Sequence, residues 1–233
     1  MIKTDLYTEG QYLASHPTWH VEDSPWKAKQ VLKIINQNQL KFKSICEIGC
    51  GAGEILRQLY LNLPDNIDFA GYDVSPQAIE LCQSRKQDRL RFIMTNLLDD
   101  KEVFFDIALC LDVFEHVPDY LGFLQAFRKK GKYKIFHIPL DISVSSAFRG
   151  NILLHSWQKN GHIHFFNKET ALAALLDSGY KIIDYFYTPY YIEAANQSLK
   201  ANLMALPRRF LYSINPDFGV RLLGGYPLLV LAE

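Results

Sequence analysis

The sequence has no excess of charge of either sign. Its 233 residues hold 25 Lys and Arg against 25 Asp and Glu. That balance argues against a broad cationic face, so neither a nucleic-acid partner nor an anionic membrane surface is expected. No apolar run approaches the ~18–20 residues of a membrane span. The opening stretch, MIKTDLYTEG, lacks the apolar core of a secretory leader. Cysteine is scarce: Cys46, Cys50, Cys82 and Cys110, with no CxxC pair. Three of these fall in or beside expected buried strands, so the reading is free thiols in a cytoplasmic protein, with no disulfide framework and no metal site. Internal repeats and low-complexity segments are also absent. What remains suits one large domain, or one domain with a small appendage.

What the chain does have is an alternation of strand and helix signals from Ser44 onward. Strands are expected near Ser44–Ile48, Asp68–Val74, Arg89–Thr95, Phe105–Leu111, Tyr133–Pro139, Tyr180–Tyr187 and Tyr226–Ala232. Near-continuous apolar runs such as IALCL suit strands buried on both faces. Helices are expected at Gly53–Leu63, from Pro76 after a Ser75 cap to about Gln87, from Pro118 to a Gly131 C-cap, and at Lys168–Ser178. This order implies an α/β three-layer sandwich with a mostly parallel, seven-stranded, Rossmann-like sheet and an antiparallel strand pair at one edge. Residues 1–43 read as an N-terminal helical lid, with Ser24 as N-cap and Pro25 at the first helical position. Residues 44–233 form the main domain, carrying insertions at about 141–166, loop-like, and 190–222, helical and irregular.

The first strand runs into ICEIGCGAGEI, where Gly49, Gly51 and Gly53 follow the carboxylate of Glu47. Three glycines so close together indicate positive φ or the close approach of a ligand to backbone. A dinucleotide site spaces its glycines G-x-G-x-x-G. Here the third position is Glu54, and a carboxylate at Glu47 is poorly placed beside a pyrophosphate. A ligand with an ammonium or sulfonium centre suits it better. The second strand ends in GYDVS, where Asp73 is placed to accept hydrogen bonds from ribose hydroxyls. The third ends in TNLLD, where Asn96 meets an adenine edge or makes a local Asx-turn. The fourth ends in CLDVFEHVPD, which brings Asp112, Glu115 and His116 to the switch point of the sheet.

EIGCGAG, GYDVS, TNLLD and LDVFEHVPD, in that order, resemble the class I S-adenosylmethionine (SAM) methyltransferases. NGHIHFFNKETALAALLDSGYKIIDYF resembles a later segment of their small-molecule branch, which includes the ubiquinone-biosynthesis type. Asn96 departs from the Asp frequent at its position in that family. The resemblance implies strand order 3-2-1-4-5-7-6 with the last strand antiparallel, and a SAM cofactor that leaves as S-adenosylhomocysteine (SAH). It implies that Glu47 faces the methionine amino group and that Gly49, Cys50, Gly51 and Gly53 form the cofactor turn. It further implies that Asp73 and Val74 meet ribose and adenine, that Asn96 and Leu97 border the adenine, and that Leu111, Asp112 and His116 lie near the methionine and methyl end.

Methyl transfer from a sulfonium needs chiefly the alignment of nucleophile, carbon and sulfur. Where the nucleophile must also lose a proton, a histidine is the natural base. His116 is best placed, ahead of His162 and His164, while His137 alternates with apolar residues and reads as a satisfied core histidine. Lys27 reads as a solvated lysine, or else as a partner for the SAM carboxylate. The acceptor pocket is expected between the N-terminal segment (Tyr7, Tyr12, Trp19, His20, Trp26) and the two insertions, with His162, Tyr190 and Tyr191. The function expected is methyl transfer to the oxygen or nitrogen of a small molecule. The alternatives are SAM binding without transfer, and a nicotinamide-dependent oxidoreductase.

Overall fold

The structure is a computed structural model that describes residues 18–19, 21–193 and 199–233. Seven strands form one sheet: β1 (Ser44–Ile48), β2 (Asp68–Asp73), β3 (Leu90–Met94), β4 (Phe105–Leu111), β5 (Gly131–Ile138), β6 (Ile182–Tyr187) and β7 (Leu228–Ala232). Their spatial order is β3-β2-β1-β4-β5-β7-β6. The first five pair in parallel, and β7 runs antiparallel between β5 and β6. The β6–β7 pair thus closes the sheet with an antiparallel hairpin.

Alternate residues of each strand enter opposite cores, as the two-residue period of a strand demands. On one face Ile45, Phe69, Ile107, Leu109 and Ile135 pack against α1 (Ser24–Gln37), α2 (Glu54–Asn62) and α3 (Pro76–Cys82). On the other, Cys46, Tyr72, Cys110, Phe136 and Val230 pack under α4 (Tyr120–Phe127), with Phe114 and Phe166 beside it. Helix α1, expected within an N-terminal lid, is part of the first layer: its Val31, Ile34 and Ile35 are buried in that core. The remaining helices are α5 (Val144–Phe148), α6 (Ile152–His155), α7 (Lys168–Asp177), α8 (Tyr190–Glu193), α9 (Leu199–Ile214) and α10 (Pro216–Leu223).

Several boundaries differ from the expectation. Asp23, not Ser24, is the N-cap of α1, because a 3-10 turn at Val21–Asp23 leads directly into the helix. Gly131 ends the 3-10 turn at Arg128–Lys130 that follows α4, but with an extended φ of −162° rather than a left-handed one, and it opens β5. Its place there is steric, since a Cβ would lie 3.0 Å from Ala108 Cβ. The 141–166 insertion is not plain loop. Ser143 and Ser146 form a reciprocal capping box that starts α5, and α6 continues through a single π-type turn at Ser156–Asn160. All four cysteines are buried and free. No described helix is long and apolar enough to cross a membrane.

Candidate active site

The carboxyl ends of β1, β2, β4 and β5 meet on one rim. Gly51 and Gly53 in the β1–α2 turn have φ of +53° and +77°, which only glycine adopts at little cost. They differ in what surrounds them. A Cβ on Gly53 would lie 2.4 Å from the Phe92 ring, inside the core. A Cβ on Gly51 would lie 2.6 Å from the indole of Trp19, on the cleft side. Gly53 therefore serves close packing of α2 on the sheet, and Gly51 faces the cleft.

Asp73 ties this turn to the tip of β2. Its Oδ2 accepts the Gly51 N–H at 2.9 Å and its Oδ1 accepts the Ser75 N–H at 2.9 Å. Burial raises its pKa against these donors, and each oxygen keeps acceptor capacity for a hydroxyl. Glu47 is 1% exposed, and its Oε2 has no hydrogen-bond partner. Burial pushes its carboxyl well above the usual range, with Lys27 pulling the other way. An unpartnered carboxylate oxygen buried beside a cavity is costly unless a donor or cation meets it.

Asp112 follows β4 with a φ of +54°. Its backbone N–H donates to the His137 carbonyl at 3.0 Å. Its carboxylate bridges Lys27 Nζ, at 2.7 Å, and His137 Nδ1, at 2.7 Å. His137 Nε2 in turn lies 3.0 Å from Thr188 Oγ1, whose hydroxyl also reaches the Pro227 carbonyl. Burial opposes ionisation of Asp112, but His137 and Lys27 outweigh it and hold the carboxyl far below its usual value. Lys27 is not a solvated lysine. It is mostly buried, and Asp112 raises its pKa against the cost of burial. His137 is the satisfied core histidine the strand pattern suggested.

Two cavities flank this ion pair. One, of about 110 Å³, is lined by Trp19, Lys27, Glu47, Gly49, Cys50, Gly51, Leu111 and Asp112. The other, of about 290 Å³, is lined by Trp26, Lys27, Asp112, His116, His137, His162 and Tyr190. Lys27 and Asp112 stand in both walls. The second cavity is roofed by α8, where Glu193 accepts from Trp26 Nε1 at 2.9 Å and Gln30 Nε2 at 3.0 Å. Tyr190 closes it with an edge-on contact to Trp26 and a hydroxyl bond to Asp23.

His116 and His162 in the wall of the second cavity belong to a carboxylate–histidine cluster that extends behind it. His116 Nε2 is 3.7 Å from Glu115 Oε1, and the His116 and His162 rings are 5.0 Å apart. His162 Nδ1 bonds Asp141 Oδ2 at 2.8 Å and Ser156 Oγ at 3.1 Å. Burial, then His162, lowers the His116 pKa to about 4. That makes it a weaker base than an ordinary histidine.

Of the residues expected at the site, Glu47, Gly49, Cys50, Gly51, Asp73, Leu111 and Asp112 come together around the first cavity or its rim. Trp26, His116, His162 and Tyr190 line the second. Trp19, expected in the acceptor pocket, lines the first cavity and not the second. Gly53 faces the core, and Leu97 is fully buried. Asn96 caps the short turn after β3, accepting the Leu98 N–H at 3.1 Å, as an Asx-turn would. Val74 is about half exposed. Tyr7, Tyr12 and His20 lie outside the described residues. Asp141 and Thr188 escaped sequence reasoning. The signal for Asp141 was present, an acid just past the strand end in IPLD, whereas Thr188 gave none.

Comparison with known proteins agrees with this geometry. The profile of a family described as "Methyltransferase domain" matches residues 24–185, well over half of the chain. A ubiquinone biosynthesis O-methyltransferase from Idiomarina loihiensis is 26% identical over 149 residues. That match covers 58% of this chain and 60% of the relative's length. Among solved structures, the magnesium protoporphyrin IX methyltransferase of Synechocystis PCC 6803, determined with bound SAH, superposes with a TM-score of 0.59 at 13% identity. It covers 89% of this chain and 82% of its own. The N-methyltransferase NodS of Bradyrhizobium japonicum WM9 with SAH gives 0.55 at 16% identity, covering 88% and 84%.

Proposed function

Since the chain belongs to the methyltransferase-domain family, we propose that it moves a methyl group from SAM to an oxygen or nitrogen of a small-molecule acceptor. The observation that carries this reading is the pair of cavities meeting at Lys27 and Asp112. One has the features a sulfonium nucleoside needs. The other has the aromatic walls and histidines an acceptor needs.

The residues of the first cavity fit SAM chemically. The unpartnered Glu47 oxygen suits the methionine ammonium, Asp73 suits the ribose hydroxyls, and Gly51 leaves bare backbone for close approach. Lys27 is within reach of a carboxylate if Asp112 yields it. The cavity of about 110 Å³ is small beside the ~300–1,000 Å³ typical of ligand sites. Trp19 sits on Gly51, so cofactor entry requires this indole to swing away. SAM supplies the activated methyl. The chain's own part is alignment, worth ~7–11 kcal/mol when complete, and removal of the acceptor's proton. For that proton the cluster of Glu115, His116, His162 and Asp141 supports the reading better than His116 alone, because burial weakens His116 as a base. A nicotinamide ligand is disfavoured by the lone Glu47 carboxylate beside the turn.

Calorimetry with SAM, SAH and NADH on wild type and Asp73→Ala tests this. Micromolar SAH binding, lost at least ten-fold in the variant, with no NADH binding, is the expected result. NADH binding without SAH binding overturns the reading.

A further inference from the structure

The second cavity joins acidic side chains to aromatic ones. Asp23 and Asp112 stand in its wall with Trp26, His137 and Tyr190. The three rings form a corner: Trp26 meets Tyr190 edge-on at 5.0 Å and 80°, and His137 at 6.2 Å and 82°. Among the described residues lining the cavity, Lys27 is the sole lysine or arginine, and its Nζ is engaged by Asp112 at 2.7 Å. We propose that the acceptor is a small primary or secondary amine, bound as its ammonium in this ring corner beside Asp23. The proposal rests on the methyl-transfer reading and names the acceptor class for it.

The corner is braced before a ligand enters. Trp26 Nε1 donates to Glu193 Oε2 at 2.9 Å, and Gln30 Nε2 donates to the same oxygen at 3.0 Å. The Tyr190 hydroxyl donates to Asp23 Oδ1. A carboxylate that accepts one hydroxyl keeps capacity for an ammonium. Asp23 holds the N-cap position of α1, yet its side chain makes no capping bond there. Its carboxylate is therefore not committed to starting the helix. Aromatic rings with a carboxylate beside them hold a cation through the ring quadrupole and a charge-assisted hydrogen bond. The volume of about 290 Å³ lies at the low end of the ~300–1,000 Å³ of ligand sites, which suits a small molecule.

The movement of charge in the reaction points the same way. An oxygen acceptor reacts as an anion, which Asp23 and Asp112 repel and which Lys27 is not free to meet. A nitrogen acceptor enters as a cation and leaves as one. The bound ammonium gives up one proton, which passes by way of the histidine cluster to solvent. The nitrogen lone pair then takes the methyl carbon, and the broken carbon–sulfur bond leaves its electron pair on sulfur. The positive charge has moved from sulfur to nitrogen, and the product is the methylated ammonium. Acids and rings fixed around the nitrogen stabilise the charge that develops there.

The test titrates three probes of one shape into the whole chain saturated with SAH, by calorimetry: 2-phenylethylamine, 2-phenylethanol and phenylacetate. The amine should bind at least ten-fold tighter than the alcohol, and phenylacetate most weakly. Asp23→Asn should cost the amine about ten-fold and leave the alcohol within about two-fold, a split that a merely structural role would not produce. Trp26→Leu should cost the amine more than the alcohol, and Trp26→Phe should recover part of the difference. Unchanged SAH affinity in each variant reports that the fold is intact. If SAH binds but the alcohol or phenylacetate matches the amine, or none of the three binds, the amine class is overturned and methyl transfer stands. Equal losses for amine and alcohol in Asp23→Asn overturn it as well. A wild-type chain that binds no SAH sinks the methyl-transfer reading, and the acceptor class with it.

Discussion

At the residue scale, the informative groups are the buried ones that lack a partner or share one. Glu47 and Glu115 are carboxylates placed where a protein of this size gains nothing in stability from them. Asp112 is the opposite case, a single carboxylate held between a lysine and a histidine. The state of Glu47 yields a signed prediction. Burial raises its pKa well above the usual value, so near neutral pH the free protein holds it protonated more than an exposed glutamate would be. Pairing with the ammonium of SAH favours the ionised form, so binding should release a proton, and affinity should rise with pH until Glu47 is ionised in the free protein. The binding enthalpy should then depend on the ionisation enthalpy of the buffer, and Glu47→Gln should remove that dependence. A buffer-independent enthalpy in wild type would show that Glu47 does not meet the ammonium.

At the scale of elements, the β1–α2 turn divides its labour between packing and binding. Gly53→Ala places a methyl 2.4 Å from Phe92 at a φ of +77°, and neither the ring nor the backbone has free space to yield. A stability loss of about 2–4 kcal/mol is expected from strain and overpacking. Gly51→Ala meets only the Trp19 indole at the cleft, so it should cost less stability, ~1–2 kcal/mol, but at least ten-fold in SAH affinity. Urea unfolding and calorimetry on the two variants separate the effects. Equal losses of affinity at equal stability would mean that both glycines face the ligand. Helix α1 adds a second element-scale feature. It packs in the first core yet sends Lys27 to Asp112 and Trp26 to Glu193, so it is wall and structural layer at once.

At the scale of the whole molecule, a ligand that binds the folded chain alone must stabilise it. SAH at a hundred times its Kd contributes about 2.7 kcal/mol. For a chain of this size that raises Tm by roughly 5–10 °C. Thermal scans with SAH and with NADH should show the shift for SAH alone. A flat response to saturating SAH would mean that the cofactor cleft is not closed in the native chain. The balanced charge of the molecule also gives it no long-range pull on an anionic acceptor, so recognition rests on the cavity walls.

The sequence by itself determined the strands, the glycine turn and the acids at the strand tips, while the order of the strands came with the family resemblance. These are local signals: apolar runs of strand length, glycines where φ must be positive, and carboxylates next to them. It also offered His116 and His162 as candidate bases, without bringing them together. Only the tertiary structure decided what each side chain faces. Gly51 and Gly53 look alike in the sequence, yet Phe92 and Trp19 reach them from distant strands and turns. Lys27 reads as an exposed helical lysine until α1 docks and sets it against Asp112. Glu115 reads as one acid in a polar turn until the loop from Asn160 to His164 closes over it and shuts out water. Desolvation and pairing across the fold depend on which segments meet, and no local pattern carries that information.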